Sequence, residues 1–223
     1  VGNGFFATRG CHATEIDQPE EHYPGTYIAG IYNNTPSDVH GRKIWNNDLV
    51  NCPNWLLFEL EISGHKIRPF EEEIIDYHQS LNLKEACLIQ DITFKDKKKR
   101  VTRIRTRRFA SMDEHHLGGI RFEFVPLNYD ADVRLSSWLD AGVKNNNVAR
   151  YRQLNTKHLK DISSGRSKNI FFISAKTSYS GHEIFMHAKE ELYHNDRVKK
   201  ITPKKIETKA KIGEIFNFSA KKN

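Results

Sequence analysis

Period-two alternation dominates the chain. In the run Leu56-Leu57-Phe58-Glu59-Leu60-Glu61-Ile62, Leu56, Phe58, Leu60 and Ile62 share one face and Glu59 and Glu61 point away. That is the pattern of a strand with one wet side. Ser63-Gly64-His65-Lys66 then turns the chain, and residues 67–75 read as the returning strand. The same alternation recurs in Ile120-Arg121-Phe122-Glu123-Phe124 and in Val133-Arg134-Leu135-Ser136. In residues 183–188, Ile184, Met186 and Ala188 oppose His187. Residues 86–94 and 101–111 flank a basic tip, Lys95-Asp96-Lys97-Lys98-Lys99-Arg100, with Thr102, Ile104 and Thr106 facing opposite Arg103, Arg105 and Arg107. Residues 170–175 are apolar on both faces and are expected between two layers.

Helical periodicity is nearly absent. Residues 48–55, interrupted by Pro53, and residues 81–86 are the only short candidates. The pattern therefore predicts an all-β fold, a large antiparallel β-sandwich forming one domain over residues 1–223. Its inner faces should carry Phe58, Leu60, Ile120, Phe122, Phe124, Leu135 and Ile184. The chain opens abruptly on Val1-Gly2-Asn3-Gly4-Phe5-Phe6, two turns around a brief apolar strand. It closes on a strand-like run, residues 214–219, with no obvious partner. Both ends suggest a unit truncated from a longer polypeptide.

Charge changes this picture little. The net charge is +7, from 35 Lys+Arg against 28 Asp+Glu. Much of the excess sits at the basic tip and after Lys199, where lysines serve solubility and guard strand edges, so no nucleic-acid partner is expected. The longest apolar runs, such as Ile170-Phe171-Phe172-Ile173, are too short to span a bilayer, and no membrane partner is expected. Cys11, Cys52 and Cys87 are scattered without a CxxC spacing, which suits free thiols in a reducing, cytoplasmic setting.

Candidate chemistry is sparse. Asp113-Glu114-His115-His116 is the densest set of metal-ligand types, but adjacent histidines on extended chain point to opposite faces, so a polar turn is the simpler reading. Glu71-Glu72-Glu73 and Asp76 read as a solvated edge rather than a pair of catalytic carboxyls. No nucleophile elbow, zinc-protease, phosphate-loop or dinucleotide fingerprint occurs. Neither a metal site nor a cofactor is expected. Trp45, Trp55 and Trp138, with Tyr23, Tyr27, Tyr32, Tyr77 and Tyr129, fit core packing first and sugar-stacking platforms second.

Five strings nonetheless recur together in a known order. They are residues 2–10 (GNGFFATRG), 23–32 (YPGTYIAGIY), 49–56 (LVNCPNWL), 108–111 (RFAS), and 139–143 (LDAGV) with Asn145. On these the chain resembles the amino-terminal domain of glycoside hydrolase family sixty-five, the family of maltose, trehalose and kojibiose phosphorylases and related trehalose-cleaving enzymes. Residues after Leu159 match only in general character. Ala7-Thr8 departs from the family's usual glycine followed by a small or apolar residue, a lean toward the trehalose-cleaving branch.

The resemblance implies a galactose-mutarotase-like supersandwich followed, in an intact enzyme, by an (α/α)₆ barrel that holds the catalytic glutamate. No catalytic or substrate-binding residue carries over to this chain. The implied partners are that barrel in the same polypeptide and, for the intact enzyme, an α-glucoside disaccharide and inorganic phosphate; a homodimer stays open to the intact enzyme. An inverting phosphorylase would protonate the glycosidic oxygen while phosphate attacks the anomeric carbon. Asn3, Arg9, Asn51 and Trp55 are the residues expected at the interface with the barrel, clear of this domain's own core. Two other readings stand beside this one, an independent carbohydrate-binding module and a basic nucleic-acid-binding β domain.

Overall fold

The computed structural model describes residues 1–14, 23–146 and 154–223. Among these the elements are strands, with a single 3-10 turn at Pro69–Glu71. The fold is all-β, as the alternation predicts. Three sheets carry the architecture. A five-stranded sheet is built from β5 (Asn54–Ile62), β6 (His65–Ile67), β11 (Ala131–Asp140), β17 (Lys204–Glu207) and β18 (Lys211–Ala220), in the order β17-β18-β11-β5-β6. A four-stranded meander runs through β7 (Glu73–Asn82), β8 (Cys87–Lys95), β9 (Val101–Ala110) and β10 (Gly118–Pro126). A three-stranded sheet holds β12 (Leu159–Ser167), β13 (Ile170–Thr177) and β14 (Glu183–Ala188). Three two-stranded ribbons complete the set: β1 (Phe6–Thr8) with β2 (Thr26–Ile28), β3 (Tyr32–Val39) with β4 (Arg42–Leu49), and β15 (Tyr193–His194) with β16 (Arg197–Val198).

One face of the five-stranded sheet is covered twice. At one end Phe58, Leu60, Ile62, Val133 and Leu135 meet Ile92, Phe94 and Ile104 of the meander, with Ile120, Phe122 and Phe124 packed against them. Phe58 and Phe122 stack with centroids 4.8 Å apart. At the other end Leu139 and Ile212 meet Phe171, Ile173 and Ala175 of the three-stranded sheet. The inner-face assignment read from the alternation holds, since a one-residue register slip would turn every one of these side chains outward.

Five local expectations are corrected. Residues 67–75 are not one returning strand: β6 is three residues long, Pro69 offers no N–H to the ladder, and the chain crosses to the other sheet as β7. Residues 48–55 are not helical; β4 ends at Leu49 and a buried link leads straight into β5. Residues 81–86 form the end of β7 and the turn into β8. The run 214–219 does have a partner, for β18 pairs with β11 from Ala131↔Ala220 to Asp140↔Lys211. Its partner lies some eighty residues earlier, a separation that local pattern does not reveal. Finally, β13 is central in its sheet but is covered on one face only: Phe171, Ile173 and Ala175 are buried, while Phe172 turns out and stacks on the exposed Phe185 at 5.1 Å.

The basic tip is the hairpin turn the sequence suggests. Buried Asp96 closes it by accepting the Lys98 and Arg100 amides at 2.8 and 3.0 Å, and the Arg100 Nε at 2.6 Å.

Candidate functional site

The amino-terminal string folds as the β1–β2 ribbon and braces the turn between β9 and β10. Asn3 Nδ2 donates to the Ser111 and His115 carbonyls at 2.5 and 2.9 Å, while its Oδ1 accepts the Phe5 and Phe6 amides at 3.1 Å each. Phe5 stacks on His116, with centroids 4.1 Å apart. Trp55 meets Phe6 edge-on at 6.5 Å, and both rings press on Gly118. A Cβ at Gly118 would lie 3.0 Å from each ring, so glycine is what admits this contact. Arg9 lays its guanidinium over the Tyr23 ring at 4.6 Å, and its backbone amide donates to Gly25 at 2.9 Å. Asn3, Arg9 and Trp55 are therefore half-buried around one ribbon.

Asn51 is different. It is fully enclosed, and its side chain joins three segments: Oδ1 accepts the Thr26 amide at 3.0 Å, and Nδ2 donates to the Pro24 and Lys144 carbonyls at 3.0 and 3.1 Å. Its own amide donates to Asn145 Oδ1 at 2.9 Å. The expectation that Asn51 stays clear of this domain's core is corrected. A buried link without a ladder must satisfy its backbone groups some other way, and paired asparagines do so here.

Residues 10–12 lie over the inner face of the meander through a polar cluster. Gln90 Nε2 donates to Gln79 Oε1 at 2.8 Å and reaches the Gly10 and Cys11 carbonyls at 3.3 and 3.4 Å. The Tyr77 hydroxyl donates to the same Gln79 oxygen at 2.9 Å, and burial pushes its pKa up. Arg108 Nη2 donates to the Cys11 carbonyl at 2.6 Å. A shallow cleft next to this cluster is lined by Ala13, Thr14, Phe70, Gln90, Ile104 and Thr106.

The β3–β4 hairpin covers a second polar layer. Every second residue of β3 faces inward, and those residues are Asn33, Thr35 and Ser37. Asn33 Oδ1 accepts the Tyr179 and Ser180 amides at 3.0 Å each, and Nδ2 donates to Ser178 Oγ at 3.0 Å and to His158 Nδ1 at 3.1 Å. That last bond leaves the proton on His158 Nε2, which faces the Asp48 carboxylate at 3.8 Å. Burial holds the imidazole pKa down, against the pull of Asp48. Outside, Trp45 and Tyr179 meet edge-to-face at 5.5 Å with Lys43 Nζ 5.1 Å from the Trp45 ring centre, and both aromatic residues are exposed.

A third polar group separates the two apolar cores. Ser137 and Glu214 are opposed across β11 and β18, and Ser137 Oγ donates to Glu190. Arg166 Nη1 lies 3.3 Å from Glu214. Burial pushes the Glu190 carboxyl up to about 7, and it raises Glu214 as well. Arg166 pairs with Glu214 alone, and its charge acts on Glu190 only through space.

The remaining candidates from the sequence take structural places. Residues 113–116 lie in the turn between β9 and β10, and Glu73 sits on the exposed strand β7, paired with Lys95 at 2.5 Å. Trp138 Nε1 donates to Glu59 at 2.9 Å, and Tyr129 OH meets Thr102 Oγ1 at 2.6 Å. The three cysteines are buried free thiols, and burial pushes Cys52 up to about 11, away from nucleophilic use. Among the described residues no group of three or more His, Cys, Asp or Glu side chains is placed to hold a metal ion. None of their helices is long and apolar enough to cross a membrane.

Sequence reasoning missed Arg108, the Glu190 group and the Asn33–His158 network. The signal for the last was present, a period-two run of small polar residues in β3, but alternation of that kind reads as a wet face. The other two depend on pairings between distant segments.

The described residues thus form an all-β unit with two apolar cores on one face of its five-stranded sheet. The chain belongs to the family described as glycosyl hydrolase family 65, N-terminal domain, whose model matches residues 1–223. It is 36% identical over 196 residues to an uncharacterized glycosyl hydrolase of Mycobacterium tuberculosis, covering 87% of this chain and 15% of that protein. It is 32% identical over 162 residues to the kojibiose phosphorylase of Caldanaerobacter subterraneus subsp. tengcongensis, covering 73% and 20%. With the trehalose 6-phosphate phosphorylase of Lactococcus lactis the identity is 29% over 178 residues, covering 80% and 22%. The fold is similar to that of a putative kojibiose phosphorylase from the human microbiome, with a TM-score of 0.79, 15% identity, and coverage of 100% of this chain and 28% of that one. The chain thus spans about a fifth of the length of the curated relatives it matches.

Proposed function

We propose that residues 1–223 form a non-catalytic domain of an enzyme that cleaves α-glucosides such as kojibiose, trehalose or maltose, by phosphorolysis or hydrolysis. The domain packs against the part of the polypeptide that carries the catalytic carboxylic acid and helps shape its entrance. The observation that carries this reading is the family match over the whole chain, joined to relatives that are phosphorylases several times longer. In the phosphorylase form the chemistry is inverting: an acid protonates the glycosidic oxygen as phosphate, already anionic, attacks the anomeric carbon.

The docking face we assign is the β1–β2 ribbon with the adjoining β9–β10 turn. Asn3, Arg9 and Trp55 fix its shape, and Phe109, Met112 and Leu117 stand exposed on the turn and on the strand leading into it. Exposed apolar side chains grouped beside a rigid brace are what a partner surface needs. Asn51 supports that face from behind. The test is Arg9→Ala in the intact polypeptide and in the isolated unit. Activity or thermal stability should fall further in the intact protein than the isolated unit is destabilised. Equal loss in both, with full turnover retained, would reduce Arg9 to a turn brace and remove this face.

A second reading has one observation behind it. Trp45 and Tyr179, flanked by Lys43 and by Asn34 and Asn47 on the same outer face, make a small aromatic and polar platform suited to a sugar ring. Saturable binding of kojibiose or maltose to the isolated unit, lost in Trp45→Ala, would support it.

A further inference from the structure

The segment after β14 leaves the three-stranded sheet and joins the five-stranded one at β17, and little holds it on the way. From Lys189 to Lys200 every residue is exposed except Glu190 and Leu192. The β15–β16 ribbon within it is a sheet of its own, and the Lys199 amide closes its base by donating to the Leu192 carbonyl at 2.8 Å. Arg121 of the meander reaches Asp196 at 2.8 Å, but both side chains are well exposed and such pairs contribute little. A ribbon this short does not keep its shape unaided. Among the described residues, the segment's one deep polar anchor is the Glu190 side chain.

That anchor sits where a neutral carboxyl fits and a charged one does not. One Glu190 oxygen accepts the Ser137 hydroxyl of β11, and the other is buried with no hydrogen-bond partner among the described residues. Beside it on β18 stands a second buried carboxyl, Glu214. The cation that acts on it through space is already committed. Arg166 of β12 gives Nη1 to Glu214 at 3.3 Å and Nη2 to the Ile206 and Gly213 carbonyls, and it lies over the Phe171 ring at 5.3 Å. The Lys205 charge on β17 favours ionised Glu214, and on the segment itself Lys189 pairs with Glu191 at 2.8 Å in solvent. An ionised Glu190 would stand enclosed beside another carboxyl with no cation of its own, a costly state. Burial accordingly pushes its pKa up to about 7. The escape is outward, because most of the segment is in solvent already.

We propose that residues 189–199 are a proton-operated strap: with Glu190 protonated the segment lies closed over Ser137 and Glu214, and on ionisation it swings into solvent and uncovers the polar strip between the two cores. The proton goes to water, and the Ser137–Glu190 hydrogen bond is exchanged for hydration. Because the closed carboxyl holds its proton more tightly than the open one, acid favours closure. Opening grows about tenfold per pH unit from the ordinary carboxyl value up to about 7, and it is level above that. The strap works independently of the docking face proposed above.

The test is amide hydrogen exchange of the intact polypeptide, read by mass spectrometry at pH 5 and pH 8 and corrected for the intrinsic exchange rate at each. In wild type, opening of peptides spanning residues 189–199 should rise by roughly 70-fold between the two, while peptides from β11 and β18 stay unchanged. Glu190→Gln keeps the shape and cannot ionise, so its strap should show no pH dependence. Asp196→Asn cuts the surface tether to Arg121 and should raise opening alike at both pH values, keeping the wild-type ratio. A wild-type ratio near one, or the same ratio in Glu190→Gln, overturns the proposal. A rise shared equally by β11 and β18 also overturns it, for that is loosening of the whole unit.

Discussion

The core beneath the meander and the layer beneath the β3–β4 hairpin are both buried by alternating strands, yet they hold by different physics. In the first, Phe94, Leu60 and Ile62 are sealed among apolar side chains, and tolerance depends on volume. In the second, Asn33, Thr35 and His158 are as deeply enclosed, and tolerance depends on whether each donor finds an acceptor. An apolar core can lose a methyl group and settle. A polar layer that loses one partner leaves another unanswered.

That contrast is open to direct attack. The largest effect expected is Phe94→Ala, which empties a fully enclosed site and should cost about 3–5 kcal/mol in denaturant unfolding. A loss below about 0.5 kcal/mol would mean the ring is not in the core at all. Asn33→Ala should cost about 2–3 kcal/mol, because it strips partners from two backbone amides, a hydroxyl and an imidazole at once. If it behaves like a surface substitution, water replaces the amide freely and the layer is not closed.

Glu190 lies between the two apolar cores and sharpens the comparison through pH. Its folded pKa, raised to about 7, exceeds the ordinary carboxyl value, so the folded state holds the proton more tightly than the unfolded chain. The resulting stabilisation is complete below the unfolded pKa and is lost as pH rises through about 7. Glu190→Gln should therefore match wild type near pH 4 and exceed it by about 2 kcal/mol at pH 8. Equal pH slopes in the two proteins would place the charge in water. The smallest effect is Thr35→Val, which removes a buried hydroxyl that has no hydrogen-bond partner among the described residues. Stability should stay within about 1 kcal/mol of wild type or rise; a larger loss would show that the hydroxyl is bonded after all.

Legibility in the sequence followed the same divide. The apolar faces of β5, β10, β11 and β14 are readable residue by residue, because a hydrophobic side chain at every second position has one stable disposition. The polar face of β3 carries the same period and gives the opposite impression, since Asn33, Thr35 and Ser37 look solvated until His158 and Tyr179 are brought beside them. The link at Asn51 failed for a related reason: a polar residue two places before Pro53 reads as part of an interface clear of the core, and only the arrival of Thr26 and Asn145 makes it a buried hub. Asn3, Arg9 and Trp55 were legible as special, though not for the places they take, Asn3 and Trp55 against the β9–β10 turn and Arg9 against Tyr23 and Gly25. Arg108 stood in a recognisable string, but its isolation from carboxylates is a property of space alone.

The central claim is that this unit belongs to an α-glucoside-cleaving enzyme without carrying its chemistry. Product release should be measured for the purified 223-residue unit and for the intact polypeptide, with kojibiose, trehalose and maltose, each with and without inorganic phosphate. The account predicts turnover of at least one disaccharide by the intact polypeptide and none by the unit. Turnover by the unit alone, abolished by substituting one of its own carboxylates, would contradict it.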